Sequence, residues 1–404
     1  MARRPNHLIA HGAPCRAGRC RAHRPGHEGR GSPRPSLGKQ KNRGPKVMAD
    51  IPYQTVARKL QGQRVMLVGG AGFIGHNVAL ELRRLGVETS VLDNMMVNHL
   101  VDNAYHDRGD QVKRRLNLHF LSSRVEMMRD AGVKLKNVDA RNFSDLARAF
   151  DEFKPTKVVH MSAIASAVDA RKDPGLCFDL QLVTLRNVIE LCRLTHDQVN
   201  LIMFMSSSTV YGDFEGASVD ENTRPSPRGI YANAKYMGER LLRDYCHQYG
   251  LGVSIIRPSA LYGERCVSRR VSQAFVENAL AGRPLLLEGG GDGRLDFTYI
   301  DDLVEGMVRA LALQNGQGLS NTFNMTFGNA RTIADLAAIV KDIVPNAILE
   351  ERPRALDKPV RGTLSMDRAR DVLGFIPKWP LEKGYRKYCE WYVEEWRRVV
   401  GKNA

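Results

Sequence analysis

The feature that most constrains this chain is a short apolar run, Val65-Met66-Leu67-Val68, that passes straight into glycines at 69, 70, 72 and 75. A helical pattern follows at Ile74, Val78, Leu82 and Leu85, and Gly86 closes it. A strand that turns on glycines into a helix leaves Gly69, Gly72 and Gly75 without side chains. Bare backbone and the positive end of the helix dipole then meet at one point, where a pyrophosphate is accommodated. A second strand, Thr89 to Leu92, ends at Asp93, eighteen residues after Gly75. A carboxylate there accepts hydrogen bonds from an adenosine ribose and repels a 2′-phosphate, which favours NAD over NADP.

The same texture continues. Strands are predicted up to Val138-Asp139, at Val158 to Met161, Leu201 to Met205 and Val253 to Ile256. Helices are predicted from an N-cap at Ser144 and Asp145 to Phe153, over 175–195 and from Tyr231 to Gln248. Strands alternating with helices mean a parallel sheet with crossover helices. Asp139 ends its strand at the same edge as Asp93, where it either meets the adenine amine or is merely a polar strand end. Residues 94–132 are long and poorly patterned and read as loop with helical pieces, either a lid or a surface insertion. After residue 258 the alternation breaks down, and Leu295 to Ile300 reads as a strand.

Charge separates the N-terminal segment from the rest. The formal net charge is +16, of which residues 1–47 carry +11 and residues 48–404 only +5. The high pI therefore belongs to a tail, and nucleic-acid binding by the folded part does not follow from it. That tail, rich in Arg, Gly, Pro and His, reads as a disordered basic arm, as sequence upstream of a true start at Met48, or as a metal site from Cys15, Cys20, His23 and His27. No apolar run approaches the roughly 18 residues that span a bilayer. No charged start followed by an apolar stretch marks a secretion signal. Seven irregularly spaced cysteines point to free thiols in a reducing cytoplasm.

Two clusters carry chemistry. Tyr231 and Lys235 stand four apart at the start of a helix, which puts phenol and ammonium on one face. A nearby cation lowers a phenol pKa, so that the phenolate takes a proton from a hydroxyl while a hydride leaves the same carbon. Ser206-Ser207-Ser208-Thr209 follows the strand Leu201–Met205, so four hydroxyls lie at a strand's C-terminal end.

These pieces resemble, in order, the extended short-chain dehydrogenases/reductases of the NAD-dependent nucleotide-sugar epimerase/dehydratase family, and 4-epimerases most of all. The matching residues are Gly69 to Gly75, Asp93-Asn94, Asp139-Ala140-Arg141, His160 to Ala163, Ser206 to Gly212, Tyr231 to Lys235 and Arg257-Pro258 leading to Tyr262-Gly263. Asp296 to Asp302 and Leu373 to Pro377 complete the set. The resemblance implies a Rossmann-type doubly wound parallel sheet over 61–257. A smaller C-terminal α/β substrate lobe would cover 258–395, with some segments returning to the first domain. It implies NAD held by Gly69, Gly72, Phe73, Ile74, Gly75, Asp93, Asn94, Asp139, Ala140, Ala163, Tyr231 and Lys235, with no metal. It also implies a homodimer built on the helices near 175–195 and 231–248.

Counting four residues back from Tyr211 makes Ser207 the catalytic hydroxyl beside Tyr231 and Lys235. Dehydratases that the chain resembles carry an acid in the next two positions, where Ser208 and Thr209 stand here, so the cluster favours an epimerase. The expected substrate contacts are Ser207, Ser208, Arg294 and Arg352, the arginines on the diphosphate. Ala260 replaces a usual Asn, and Val68 a usual Thr. The expected reaction passes through a transient 4-keto sugar. Dehydration, 2-epimerisation and net oxidation on the same scaffold are the alternatives, and an RNA-binding protein reusing the fold is another.

Overall fold

The computed structural model describes residues 51–401, apart from 98–99, 106–109, 165–166, 269, 315–317 and 355–358. The readings made for residues 1–47 lie outside the described residues.

Segments at or near the predicted places form the strands β1 (Arg64–Val68), β2 (Glu88–Leu92), β3 (Lys134–Lys136), β4 (Lys157–His160), β5 (Leu201–Met205) and β6 (Val253–Pro258); β3 stops short of the expected Val138-Asp139, so Asp139 lies in the loop beyond it rather than at a strand end. A seventh, β7 (Ser320–Met325), joins them. All pairings are parallel, in the order β7-β6-β5-β4-β1-β2-β3. The strand order reverses between β1 and β4, and it is beside such a switch point that open α/β sheets bind ligands. Six neighbouring parallel pairs bury both faces, so β1, β4, β5 and β6 are almost uniformly buried rather than alternating.

The crossover helices include α1 (Phe73–Arg84), α2 (Gln111–Asp130), α3 (Phe143–Phe153), α4 (Thr184–Leu194) and α5 (Gly229–Tyr249). Later come α6 (Val271–Leu280), α7 (Ile300–Leu313) and α8 (Leu381–Val399). The cap of α3 is Asn142, whose Oδ1 accepts from the N–H groups of Ser144 and Asp145; those two residues lie inside the helix rather than before it. The helix expected over 175–195 runs from Pro174 to Leu194, with a wide π turn at Asp179–Val183 between Pro174–Phe178 and α4.

Two expectations change. The segment 94–132 is not mainly loop, because α2 runs for 20 residues within it. Its buried face includes Asn117 and Arg124 among Leu116, Phe120 and Met128, so polar residues interrupt the apolar stripe. Phe120 meets Tyr392 of α8 edge-on at 5.5 Å, so the insertion is part of the core rather than a loose surface addition. The strand expected over 295–300 splits into Arg294–Leu295, paired with Arg331–Thr332, and Thr298–Tyr299, paired with Leu261–Tyr262; Ile300 already begins α7. One apolar cluster holds Val65, Leu67 and Val78 together with Leu303, Phe323, Met325 and Tyr385, so segments after 258 close the core of the sheet.

Candidate active site

The cofactor cleft forms where β1 and β2 end. Gly75 is required by the protein itself, since a Cβ there would lie 2.3 Å from the Gly70 carbonyl oxygen. Gly72 is different, because a Cβ there would meet nothing nearer than 3.8 Å. Its bareness opens the cleft instead, at the N-cap of α1, where no side chain caps the free N–H groups. That arrangement fits a pyrophosphate.

Asp93 lines the same cleft, and its carboxylate accepts from the N–H of Ala71 (2.9 Å) and of Met95 (2.7 Å). Burial raises its pKa, and those two N–H groups hold it partly down. Two acceptor oxygens have about four lone-pair sites, which leaves capacity for ribose hydroxyls. Asn94 donates to Asp139 (3.1 Å), and Arg141 forks the same carboxylate, which holds the Asp139 pKa below its ordinary value. Gly69, Phe73, Ile74, Ala140 and Ala163 also line the cleft, so all the expected cofactor residues of this end are brought together.

A second cavity, of about 580 Å³, adjoins the first and contains Ser207, Tyr231 and Lys235. Its frame is a buried polar network. Arg257 and Glu239, 1% and 0% exposed, form a forked ion pair with contacts of 2.8 and 2.5 Å. Ser206 donates to Glu239 (2.6 Å), and Tyr211 donates to Asn324 (2.8 Å) while accepting from Arg257 (2.9 Å). The network fixes both ends of the turn 206–211, so Ser206 is an anchor. Ser207 accepts from the N–H of Thr209 (3.2 Å), and its hydroxyl and the Tyr231 phenol line the same cavity.

The electrostatics differ from the sequence expectation in one respect. Burial raises the Tyr231 pKa, and what offsets it is the charge of Arg270, then the nearby Ser207 hydroxyl, not Lys235. The Lys235 ammonium instead donates to the Met205 carbonyl (2.7 Å), 6.0 Å from the centre of the Tyr231 ring. Burial pushes its own pKa down to about 7.

The arginine assignments also change. Arg294 lies outside the cavity wall and donates to the Ala330 carbonyl (2.7 Å). Successive strand residues face opposite ways, and it is Leu295 that lines the cavity. Arg352 is exposed, pairs with Glu350 (2.7 Å) and does not line the cavity either. The cationic arginines that do line it are Arg270, at the N-cap of α6, and Arg361, whose Nη1 donates to the Ser208 carbonyl (3.0 Å). Both sit in irregular polar segments, where sequence spacing gives no signal. Ser208 and Ala260 line the cavity as well.

Comparisons with known proteins agree with this geometry. Over residues 65–325 the chain matches the model of the NAD dependent epimerase/dehydratase family. It is 29% identical over 352 residues to UDP-glucuronate 4-epimerase 1 of Arabidopsis thaliana, covering 82% of this chain and 77% of that protein. It is 30% identical over 331 residues to UDP-glucuronic acid decarboxylase 4 of the same plant, covering 80% and 66%. Among solved structures, the UDP-glucose 4-epimerase of Thermus thermophilus in complex with NAD superposes with a TM-score of 0.67 at 28% identity, over 83% of this chain and 99% of that one. A dinucleotide cleft opening onto a Ser/Tyr/Lys cavity, together with a match that spans most of the sheet, leads to one conclusion: this chain belongs to the NAD-dependent epimerase/dehydratase family.

Proposed function

We propose that the protein inverts C4 of a nucleotide-diphosphate sugar, a UDP-sugar as in its named relatives, through a transient 4-keto sugar. The observation that carries this reading is the Ser207–Tyr231 pair in a cavity that shares its wall with the dinucleotide cleft. Bound there, NAD supplies hydride acceptance and return at the sugar carbon. Tyr231 takes the proton of the 4-hydroxyl, and Ser207 relays it. Lys235 keeps a positive charge beside the phenol when protonated. The segments after residue 258 supply the opposite wall through Leu295, Phe297 and Arg361.

No Asp or Glu lines this cavity among the described residues. Expelling a sugar hydroxyl calls for a general acid, so the lining supports inversion over dehydration. Incubating the protein with NAD and UDP-glucuronate or UDP-glucose, with products read by NMR, tests the reading. Products inverted at C4 are expected. Stoichiometric NADH, a dehydrated sugar or a decarboxylated pentose in their place would overturn it.

Within this proposal the protein is a cytoplasmic homodimer. Val168, Leu194, Met237 and Tyr249 are large apolar side chains left exposed on the segment 167–194 and on α5, and a second copy would cover them. A monomeric mass by light scattering at micromolar concentration would refute this. Cys177, Cys192, Cys246, Cys266 and Cys389 are buried free thiols, as expected of a reducing compartment. Imaging of a tagged protein checks the location. Among the described residues no helix is long and apolar enough to cross a membrane.

A further inference from the structure

We infer that Arg124, on the helix α2 inserted between β2 and β3, binds the pyrophosphate of the dinucleotide together with the N-terminus of α1. This role is independent of which sugar the neighbouring cavity takes.

In α2 the residues Leu116, Phe120, Arg124 and Met128 stand four apart and share one buried face. Apolar side chains fill three of those places, and a guanidinium only 1% exposed fills the fourth. A cation in an apolar stripe is costly unless an anion and hydrogen bonds compensate it. Burial pushes its pKa down to about 10. Part of the cost is offset where Nε (3.0 Å) and Nη2 donate to the Arg265 carbonyl, and where the charge of Asp93 acts on the guanidinium. Neither contact calls for an arginine. A neutral donor can hold a carbonyl, and Asp93 already accepts from the N–H groups of Ala71 and Met95.

The position of the guanidinium decides which anion it meets. Arg124 lines the dinucleotide cleft. Its charge acts on Asp93, just past the end of β2, and on His76, in the first turn of α1. His76 Nδ1 donates to the carbonyl of Gly72, the N-cap of that helix (2.9 Å), so the ring marks the level of the uncapped N–H groups. In a dinucleotide the group next to the adenosine ribose is its 5′-phosphate. With the ribose on Asp93 and phosphate oxygens on the N–H groups of α1, a cation beside both landmarks meets the pyrophosphate. An arginine fork suits phosphate oxygens, and its charge adds to that of the helix end.

The same guanidinium holds the segment from Arg265 that carries Val267, Ser268 and Arg270 to the cleft wall. A purely structural part for Arg124 would therefore act on the shape of the cleft as a whole, whereas a phosphate contact acts only on ligands that carry phosphate.

Calorimetric titration of the full chain with NADH, ADP-ribose, adenosine and NADPH separates the two on wild type, Arg124→Gln and Arg124→Lys. Arg124→Gln should weaken NADH and ADP-ribose at least roughly tenfold and change adenosine by no more than roughly twofold. Arg124→Lys should keep part of the lost affinity, because it keeps the charge. Equal proportional losses for adenosine and ADP-ribose would make Arg124 a prop for the Arg265 carbonyl and overturn the inference. Unchanged NADH binding would overturn it too. So would a loss confined to NADPH, which would put the guanidinium at the ribose 2′ position. If Arg124→Gln does not fold, Arg124→Lys decides by the same comparison: a loss for ADP-ribose that adenosine does not share supports the inference, and equal changes or none overturn it.

Discussion

Arg124 of α2 donates through Nε (3.0 Å) and Nη2 to the backbone carbonyl of Arg265, and Arg265 in turn donates from Nε to Ser123 of the same helix (3.0 Å). Arg265 sits in the left-handed region, with φ at 62°, a conformation costly for a residue with a side chain. The reciprocal bonds hold it there. The segment that follows carries Val267, Ser268 and Arg270, so α2 sets the wall between the two cavities. Arg124→Met would leave the Arg265 carbonyl without these donors, at a cost of about 1–3 kcal/mol. Thermal melting should show that loss, and KM for the sugar nucleotide should rise more than kcat falls. A lowered Tm with an unchanged KM would reduce α2 to a purely structural helix.

Tyr231→Phe should keep the fold and NAD binding while turnover falls by roughly 10²–10⁴-fold. Ser207→Ala should cost less, because a neighbouring hydroxyl or a water partly relays the proton. Ser208→Ala should cost least of the three. Steady-state rates on the three variants give the order. If Ser208→Ala is the most damaging serine change, the hydroxyl has been counted one residue out of register.

The pH profile follows from Arg270. The Tyr231 phenol has a raised pKa, so the fraction of phenolate, and with it kcat/KM, should climb as pH rises. Arg270 opposes that rise in pKa. Arg270→Gln should therefore move the climbing limb to higher pH, and Arg270→Lys should restore much of it. Superimposable profiles would separate the limb from Tyr231.

Lys235 offers a stability test. Burial depresses its folded pKa to about 7, from 10.5 for an ordinary lysine. Between those two values the unfolded chain binds more protons than the native one, so this group makes stability rise with pH across that window. Below it both states are protonated and the full penalty of burying the charge remains. Lys235→Met should thus raise the melting temperature at pH 7, flatten the dependence between pH 7 and 10 and abolish activity. A destabilised Lys235→Met protein would mean that the bond to the Met205 carbonyl outweighs the desolvation of the ammonium.

Asp93 should set cofactor choice. The protein is expected to bind NAD(H) more tightly than NADP(H), since the carboxylate would face a 2′-phosphate. Asp93→Ser should narrow the difference. Fluorescence titration with both reduced cofactors measures it, and equal affinities in the wild type would remove Asp93 from that role.

The sheet and the cofactor cleft were legible because glycines, apolar runs and strand-end carboxylates are local signals, and the parallel sheet places their ends together. The placing of Ser207 and Tyr231 in one cavity was readable for the same reason, as one follows a strand end and the other a helix start. Arg361 and Arg270 were not, since irregular segments carry no period and their position depends on pairings with residues far off in sequence, such as Ser218–Val219 with Thr363–Leu364. Arg294 shows the opposite error. Its charge suits a diphosphate, but the neighbouring Leu295 takes the inward face. Polar burial hid α2, because Asn117 and Arg124 occupy places where an apolar stripe would have announced a helix.

Ile74, Met161, Ala163, Met205, Leu261, Ser268 and Arg270 belong to the walls of both cavities. A wall in common makes the two ligands each other's environment. Whatever the first does to these seven side chains changes the affinity for the second, and linkage requires the effect to be equal in both directions. A sugar that binds better beside a filled dinucleotide cleft therefore also tightens the binding of that dinucleotide. In the proposed C4 inversion, that coupling would favour keeping the dinucleotide in its cleft until the hydride is returned.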